Sequence, residues 1–525
     1  MPIHQLDTTL LIGAGVLLAA ILAVRVSVDV GLPSLLVYLG IGVLLGESVV
    51  GIPFEDYDLA AALGYLALVL ILAEGGLTTR WSQVRPAVGL GLALSTVGIA
   101  VSVLVMTLAA HVLLDLRWQL ALLLGAVVSA TDAAAVFSVL RQVPLRSRVL
   151  GTLEAESGLN DAPVAILVTV VATGAQTSAA GWVGTVVLIA LELALGAAVG
   201  LLIGWLGARL LMGAALPASG LYPLSVLALS VLAYGGAATL HGSGFAAVYV
   251  AALVLGNAAL PHRAATRSFA EGVGWLAQIG LFVMLGLLAS PGRIGFREVL
   301  FALLAGAVLT LVARPLSVLT CAVWWRVGWR EQAFLSWAGL RGAVPIVLAT
   351  IPLAEGVTGA AEVFDVVFVL VVAFTLLQGP TLPWVARRLG VTLEGEAREV
   401  DVEAAPLGRI AAELLQVLVP ADSRMHGVEV AELRLPADTS VSLVVREGHA
   451  FVPSRTTRIA RGDELLVVST RDARDAVEAR LRSVSLHGRL AGWQPSAARP
   501  GGPESSAGPP VSPPSPGARR RWWLS

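Results

Sequence analysis

Long runs of apolar residues, separated by short polar or glycine-rich breaks, fill roughly the first three quarters of the chain. An α-helix that crosses a bilayer needs roughly twenty apolar residues, and most of these runs approach or exceed that length. The pattern predicts about thirteen transmembrane helices. The predicted segments are 9–26, 31–50, 60–79, 87–113, 118–140, 149–174, 181–212, 221–240, 243–258, 272–290, 298–324, 332–354 and 361–385.

The pattern changes near Glu394, where charged residues become frequent. Alternating stretches at 441–445 and 464–468 predict half-buried strands, and 473–484 has the pattern of an amphipathic helix. We therefore expect a transmembrane domain at 1–390 and a small α+β domain at 405–485. Residues 486–525 are rich in Pro, Gly and Ser and cannot bury a core, so this tail is predicted to be disordered.

Composition supports a polytopic membrane protein. Hydrophobic residues make up 56% of the chain and charged residues 14%, with a mean hydropathy of +0.82. Soluble domains have about one quarter charged residues. The formal net charge of −1 gives no reason to expect a nucleic-acid partner, and the single cysteine, Cys321, excludes a multi-thiolate metal site. No cofactor or resident metal is expected.

Arginines divide the predicted loops into two alternating sets. Cytoplasmic loops carry an excess of basic residues, and here one set holds thirteen arginines while the other holds three. The N-terminus is therefore predicted outside, and everything after Arg388 is predicted to be cytoplasmic. The arginine-rich set is Arg25, Arg80, Arg85, Arg141, Arg146, Arg148, Arg209, Arg263, Arg267, Arg326, Arg330, Arg387 and Arg388; the other set is Arg117, Arg293 and Arg297, together with an acidic loop containing Glu47, Glu55, Asp56 and Asp58.

Five charged residues fall inside or at the mouth of the apolar segments: Glu74, Asp132, Glu156, Asp161 and Arg341. Each costs roughly 2.5–3.5 kcal/mol at the centre of a membrane helix, so we expect them to be paired, hydrated or functional. Simpler roles remain open for two of them. Asp161 could bond to a helix end, and Glu74 could pair with an arginine at the cytoplasmic boundary.

The stretch "ESGLND" separates two roles on one helix. Ser157 and Asp161 are four residues apart and share a face, while Glu156 and Asn160 share a second face about 100° away. Oxygen ligands on the first face suit a hard monovalent cation. The second face can form a structural ion pair, for which Arg341 is the obvious basic partner in the core besides Arg314.

Two segments interrupt apolar spans in corresponding parts of the two halves of the chain. Thr131 and Asp132 lie in "SATDAAAV", and Arg341 lies in "GLRGAVP", where glycines and a proline weaken the helix. Interrupted helices in corresponding positions indicate the ion site of a secondary transporter. Thr131 could also bond back to its own helix, and Asp132 could have a purely structural role.

These motifs resemble those of the monovalent cation/proton antiporters of the NhaP and sodium/proton exchanger type. The resemblance covers about residues 9–388 and is carried by "SATDAAAVFSVL", "ESGLNDAPVAI", "LHGSGFAAVYVAALVLGN" and "GLRGAVPIVLA". The stretch 433–468 is similar to a TrkA C-terminal (RCK-C) domain. That combination resembles the potassium/proton exchangers of the family.

The resemblance implies an inverted-repeat fold with two unwound, crossing helices and a dimerisation bundle, in the plasma (bacterial inner) membrane. It implies that Asp161 binds the ion and the proton, with Asn160 as its partner and Ser157, Glu74 and Thr131 as further ligands. Glu156 and Arg341 would form a core ion pair, and Asp132 would neutralise helix N-termini at the crossing. Asn160 in place of a second Asp implies electroneutral exchange, and the C-terminal domain would bind a small regulatory ligand or stabilise the homodimer.

The buried carboxylate gives a mechanism for this activity. A charged, empty carboxylate is costly to carry across the membrane, so proton and cation compete for Asp161 and the loaded forms cross preferentially. Two alternatives are a gated cation channel without proton coupling and an intramembrane hydrolase using His241 and Ser243. Potassium or sodium as the preferred ion stays open.

Overall fold

The structure is a computed structural model of the 525-residue chain, and it describes residues 3–392 and 401–491 except for short gaps. The gaps are 31–32, 47–50, 52–53, 55, 133–135, 137–138, 140–142, 144, 175–178, 215, 290, 407–411, 421–422 and 471–472. Of the features considered above, Glu47, Glu55, Arg141 and the tail from 492 onward lie outside the described residues. The chain divides into two compact units, Met1–Glu394 and Gly395–Ser525.

Apart from an isolated β-bridge between Leu145 and Thr392, the described secondary structure of the N-terminal unit is helical. Its helices are α1 Ile3–Val30, α2 Ser34–Leu45, α3 Tyr57–Thr78, α4 Trp81–Val84, α5 Val88–Leu113, α6 Trp118–Val127, α7 Ser147–Ala172, α8 Ala179–Gly213, α9 Leu221–Thr239, α10 Gly244–Asn257, α11 Arg263–Leu288, α12 Phe296–Trp325, α13 Trp329–Trp337, α14 Ala343–Ala354 and α15 Ala360–Leu389. A short 3₁₀ turn, Pro291–Arg293, precedes α12.

Length and composition identify which helices can cross a membrane. Within the described ranges, eight are long and apolar enough, namely α3, α5, α7, α8, α9, α11, α12 and α15. Five shorter apolar helices or helix segments lie in α1, α2, α6, α10 and α14. Each of these elements overlaps one of the apolar segments predicted from the sequence. The helical membrane architecture is therefore confirmed.

The helices pack as two groups. Helices α2, α3, α8, α9, α10 and α11 contact mainly one another, and α5, α6, α7, α12, α14 and α15 form the second group. Small residues allow close approach within each group: Gly42 of α2 lies against Gly286 of α11, and Gly91 of α5 lies against Ala155 of α7. Contacts between the groups include α3 with α14 and α10 with α7.

Two non-helical segments meet inside the second group. Helix α6 ends at Val127 rather than continuing through the predicted span to 140, and residues 128–132 are not helical. Likewise 338–342 separate α13 from α14. The backbone N–H of Asp132 donates to the carbonyl of Leu340 at 3.0 Å, which joins the two segments.

Helices α5 and α12 each contain one π-helical turn, at Leu94–Gly98 and Leu309–Ala313. These turns pack near each other, since the Ser317 hydroxyl donates to the Gly98 carbonyl at 2.9 Å. A π turn shifts the side chains that follow it around the helix axis, and such turns often occur at functional sites. Arg314 directly follows the second turn.

The C-terminal unit is a small antiparallel sheet with one α-helix. Its strands are β1 Asp401–Pro406, β2 Ala412–Leu418, β3 Ser440–Arg446, β4 His449–Phe451 and β5 Glu464–Thr470, in the order β1-β2-β5-β3-β4. Helix α16, Arg474–His487, supplies Val477 and Leu481 to a core with Leu415, Val417 and Leu465. Short 3₁₀ turns lie at Val430–Leu433 and Gly488–Leu490.

One ion pair links the sheet to the turn before β5. Arg446 donates to both carboxylate oxygens of Asp463, at 2.7 and 2.8 Å, and Asp463 is fully buried. The hydrogen bonds to Asp463 raise the pKa of the Arg446 guanidinium above its ordinary value. Asp463 also accepts from the backbone of Ala460 at 2.7 Å, so both groups are satisfied.

Candidate functional site

A cavity of about 590 Å³ lies between the two groups of helices. Its walls come chiefly from α3, α7 and α11, with contributions from α10, α14 and the segment at Asp132. The polar lining residues are Glu74, Thr78, Thr79, Asp132, Glu154, Ser157, Asp161, Tyr249, Glu271 and Gln278. Five of them are carboxylates, in a part of the chain where charge is otherwise rare.

The cavity lies toward the helix ends that adjoin the arginine-rich loops. Glu74 and Thr78 are near the end of α3, which Arg80 follows, and Glu154 and Glu271 are near the beginnings of α7 and α11. At the other end of α3, Gly64 packs directly against Val347 of α14. Helices α3 and α14 are thus in contact at one end of α3, and the cavity lies toward its other end.

Helix α7 presents one polar face to this cavity. Glu154, Ser157 and Asp161 are spaced three and four residues apart, so they follow a single stripe along the helix. Asp161 is 6% exposed, and its Oδ1 atom has no hydrogen-bond partner among the described residues. A buried carboxylate oxygen without a partner is costly unless a ligand or a proton occupies the site.

Glu74 faces this stripe from α3, in the other helix group. Its side chain packs against Gly274 of α11, where a β-carbon would collide with it. The carboxylate is half-buried and lines the same cavity as Asp161. The cavity therefore holds carboxylates from both helix groups.

The buried partner of Glu156 is Arg314, not Arg341. Arg314 of α12 donates to both carboxylate oxygens of Glu156, at 2.5 and 2.8 Å, and its Nε donates to the Leu335 carbonyl at 3.3 Å. The predicted Glu156–Arg341 pair is thus wrong. Arg314 directly follows the π turn and extends over Gly339, which has no side chain to block it.

Arg341 instead binds backbone carbonyls beyond the end of α6. Its Nη1 donates to the carbonyls of Ser129 and Ala130 at 2.8 and 2.6 Å. The positive guanidinium therefore lies just beyond the C-terminal end of α6, where backbone carbonyls have no partner within the helix. Asp132 has the corresponding position, with the opposite charge, at the beginning of α14. Its carboxylate lies against Gly342, immediately before α14 begins at Ala343. Arg341 thus places a positive charge at the C-terminal end of α6, and Asp132 places a negative charge at the N-terminal end of α14.

Asn160 and Thr131 bind each other behind the cavity. The Asn160 amide donates to the Thr131 carbonyl at 3.1 Å and to its hydroxyl at 2.5 Å, and that hydroxyl donates to Glu156 at 3.2 Å. Among the described residues, the cavity lining includes Ser157, Asp161 and Glu74 but neither Asn160 nor Thr131. The structure therefore brings three of the five predicted ion ligands into one cavity.

Several lining residues had no assigned role in the sequence analysis. Glu154 lies seven residues before Asp161, a helical spacing that could have identified it. Glu271, Gln278 and Tyr249 come from α11 and α10, where no sequence spacing relates them to α7. Only the packing of the helices shows that these three share the site.

Comparisons with known proteins give consistent matches. Residues 14–388 match the family described as sodium/hydrogen exchanger, transmembrane, and residues 414–482 match the TrkA-C domain. The K(+)/H(+) antiporter NhaP2 of Shewanella oneidensis is 35% identical over 91% of this chain and 84% of its own length. The K(+)/H(+) antiporter NhaP of Alkalimonas amylolytica is 36% identical over 89% and 82%.

A solved structure has the same fold. The sodium proton antiporter MjNhaP1 from Methanocaldococcus jannaschii superposes with a TM-score of 0.62 and covers 73% of this chain and 99% of its own. Its sequence identity is 21%, so the similarity concerns the fold of the helical unit.

Proposed function

Since this chain belongs to the sodium/hydrogen exchanger family, we propose that it is a secondary active antiporter that exchanges a monovalent cation for protons. One observation carries the proposal: Asp161 lines a cavity between two helix groups, is 6% exposed, and has a carboxylate oxygen with no partner among the described residues. Such a carboxylate accepts either a proton or a cation, which makes the two fluxes compete for one site.

The ligands of the cation come from the cavity face of α7 and from α3. Asp161 supplies the charge, the Ser157 hydroxyl adds an oxygen, and Glu74 completes the cage from the opposite wall. Asn160 and Thr131 act from behind, because their mutual hydrogen bonds fix the position of α7 relative to the interrupted segment. Glu156 and Arg314 anchor the same side of the helix.

Alternating access follows from the two helix groups. We take α5 to α7 and α12 to α15 as inverted repeats, because each begins with a helix containing a π turn and continues into an interrupted one. On this assignment thirteen spans cross the membrane, and the segments at 128–132 and 338–342 form the crossing. The cavity then opens to the cytoplasm, and the contact of Gly64 with Val347 closes the outer end.

Potassium is the favoured cation, because the two relatives above, which cover most of this chain, are named K(+)/H(+) antiporters. Asn160 adds no second carboxylate beside Asp161, which supports electroneutral exchange of one cation for one proton. The TrkA-C domain is a regulatory module, cytoplasmic by the arginine distribution.

The plasma membrane of a bacterium is the site of action, and a homodimer is the working form. The exposure of helix α8 supports a second subunit packed against it. Only 11% of the most apolar stretch of this helix is buried, and its exposed residues are apolar. The bilayer covers whatever part of this face the second subunit does not.

The test uses purified protein in liposomes with an acidic interior. Adding potassium or sodium outside should make the interior of wild-type liposomes more alkaline, and Asp161→Asn should reduce the rate at least a hundredfold because the shared carboxylate is gone. Asp365→Asn is the matched control: Asp365 is also buried, at 5% exposure, but it pairs with Arg293 at 3.6 Å outside the cavity lining.

Either of two results would reject the shared-carboxylate mechanism. One is exchange by Asp161→Asn at the wild-type rate. The other is cation flux through wild type with no accompanying change of interior pH, which is the behaviour of a channel.

A further inference from the structure

Glu154 is a cavity carboxylate that the proposed ion cage does not use. It is half-buried, it lines the same cavity as Asp161, and its Oε2 atom has no hydrogen-bond partner among the described residues. Seven residues separate Glu154 from Asp161, which places the two on the same face of α7, about two turns or 10 Å apart along the axis.

The ring of Tyr249 contacts α7 at Gly158, which lies between Glu154 and Asp161 along the helix. A β-carbon at Gly158 would collide with the ring and hydroxyl of Tyr249. Tyr249 belongs to α10, in the other helix group, and is 5% exposed. Along the α7 face the order is therefore Glu154 near the arginine-rich end, then the Tyr249 ring, then Asp161.

The charges around Glu154 favour a cation at this position. Glu74 and Glu271 line the other walls of the cavity and outnumber Arg80, the exposed positive charge after α3 that interacts with Glu154 and partly offsets it. A carboxylate in a narrow cavity with low-dielectric walls raises the local concentration of cations. Between the two carboxylates, α7 presents Ser157 to the cavity, and the Tyr249 ring lies against Gly158, which has no side chain.

We propose that Glu154 captures the incoming cation on the near side of the Tyr249 ring, before the cation passes to Asp161. This inference rests on the proposed antiport at Asp161 and adds a residue that sets the apparent affinity for the cation. Capture precedes binding in the cage, so removing it changes the half-saturating cation concentration and leaves the maximal rate, which Asp161 limits, nearly unchanged.

The experiment measures exchange against cation concentration in liposomes containing wild type, Glu154→Gln, Glu154→Asp and Glu271→Gln, with potassium and then sodium. The interaction of two unit charges at about 10 Å corresponds to about a two- to tenfold rise in half-saturating concentration for Glu154→Gln. Glu154→Asp should restore most of the affinity. Glu271→Gln removes an exposed carboxylate from the opposite wall and should change the constant less than about twofold.

Three results would overturn the proposal. The first is an unchanged half-saturating concentration in Glu154→Gln. The second is a fall in maximal rate alone, which indicates a structural role. The third is an equal rise in Glu271→Gln, which indicates a general effect of cavity charge. In each case the proposed function stands if wild type exchanges and Asp161→Asn does not, so the two proposals fail separately.

Discussion

At the scale of single residues, the charges of the helical core are neutralised in two different ways. Glu156 and Arg314 form a buried pair with both carboxylate oxygens bonded. Arg341 is also buried, at 3% exposure, but it is held by the carbonyls of Ser129 and Ala130. The first arrangement is a salt bridge, and the second uses partial charges of the backbone.

The sequence located these charged residues but did not identify their partners. The spacing of "ESGLND" correctly separates Glu156 and Asn160 from Ser157 and Asp161, because helical periodicity alone decides which residues share a face. The choice between Arg314 and Arg341 depends on how α12 packs against α7. The π turn before Arg314 contributes to that packing, and apolar periodicity gives no sign of it.

A double-mutant cycle tests the revised pairing. Removing one member of a buried pair costs about 3–5 kcal/mol, and the loss is smaller when both are removed together. We expect Glu156→Gln and Arg314→Gln to show a coupling free energy of about 1–3 kcal/mol in thermal unfolding of the purified protein. Glu156→Gln with Arg341→Gln is the matched cycle and should show at least about 1 kcal/mol less coupling.

A larger coupling free energy between Glu156 and Arg341 than between Glu156 and Arg314 would support the pairing predicted from the sequence. Equal coupling in both would indicate that Glu156 is shared between the two arginines.

At the scale of helices, the interruptions could be predicted and their meeting could not. Polar residues in "SATDAAAV" and glycines in "GLRGAVP" weaken two apolar spans, and the structure ends α6 at Val127 and begins α14 at Ala343. The bond from Asp132 to Leu340 joins segments more than two hundred residues apart, which no local signal reveals. The helix-end charges of Asp132 and Arg341 depend on that meeting.

Gly342→Ala tests how closely the two interrupted segments pack against each other. A β-carbon at Gly342 would overlap the Asp132 carboxylate and push it from the beginning of α14. We expect a stability loss of about 1–3 kcal/mol, typical of overpacking, and slower exchange. Gly280→Ala on α11 is the control, since nothing lies within 4 Å of its β-carbon position.

The stability and the exchange rate of Gly280→Ala should stay near those of wild type. Normal stability and exchange in Gly342→Ala would show that Asp132 has room to move and that its position before α14 is not required.

At the scale of the whole molecule, the chain is two units with separate cores. The hydropathy of the sequence distinguishes the two units, because a membrane-embedded unit is rich in apolar residues and a water-exposed unit is rich in charged ones. The family prediction made from four motifs is confirmed by the match over residues 14–388. The cavity was not predictable, since it arises where α3, α7 and α11 face one another.

The C-terminal unit should fold alone. Its core of Leu415, Val417, Leu465, Val477 and Leu481 comes entirely from its own sheet and helix. A fragment of residues 395–491 should be soluble and should unfold in one cooperative thermal transition followed by circular dichroism. Asp463→Ala should lower its stability by about 2–4 kcal/mol, because Arg446 and the backbone of Ala460 lose their acceptor.

Asp438→Asn is the control, because Asp438 is exposed in a loop of the same unit and makes no ion pair among the described residues, and Asn tolerates the left-handed backbone conformation at this position. A fragment without a cooperative transition would show that the unit depends on the helices for its fold.

The contact between Gly158 and the Tyr249 ring also has a consequence for how such proteins evolve. The two positions lie on different helices of opposite groups, yet any side chain at 158 requires a smaller residue at 249. Position 158 cannot gain a side chain before position 249 becomes smaller, so the two substitutions are linked in a fixed order. A lineage that changes the size of its ion pathway at this level must pass through both substitutions, and the order that first shrinks position 249 is the one that keeps every intermediate folded.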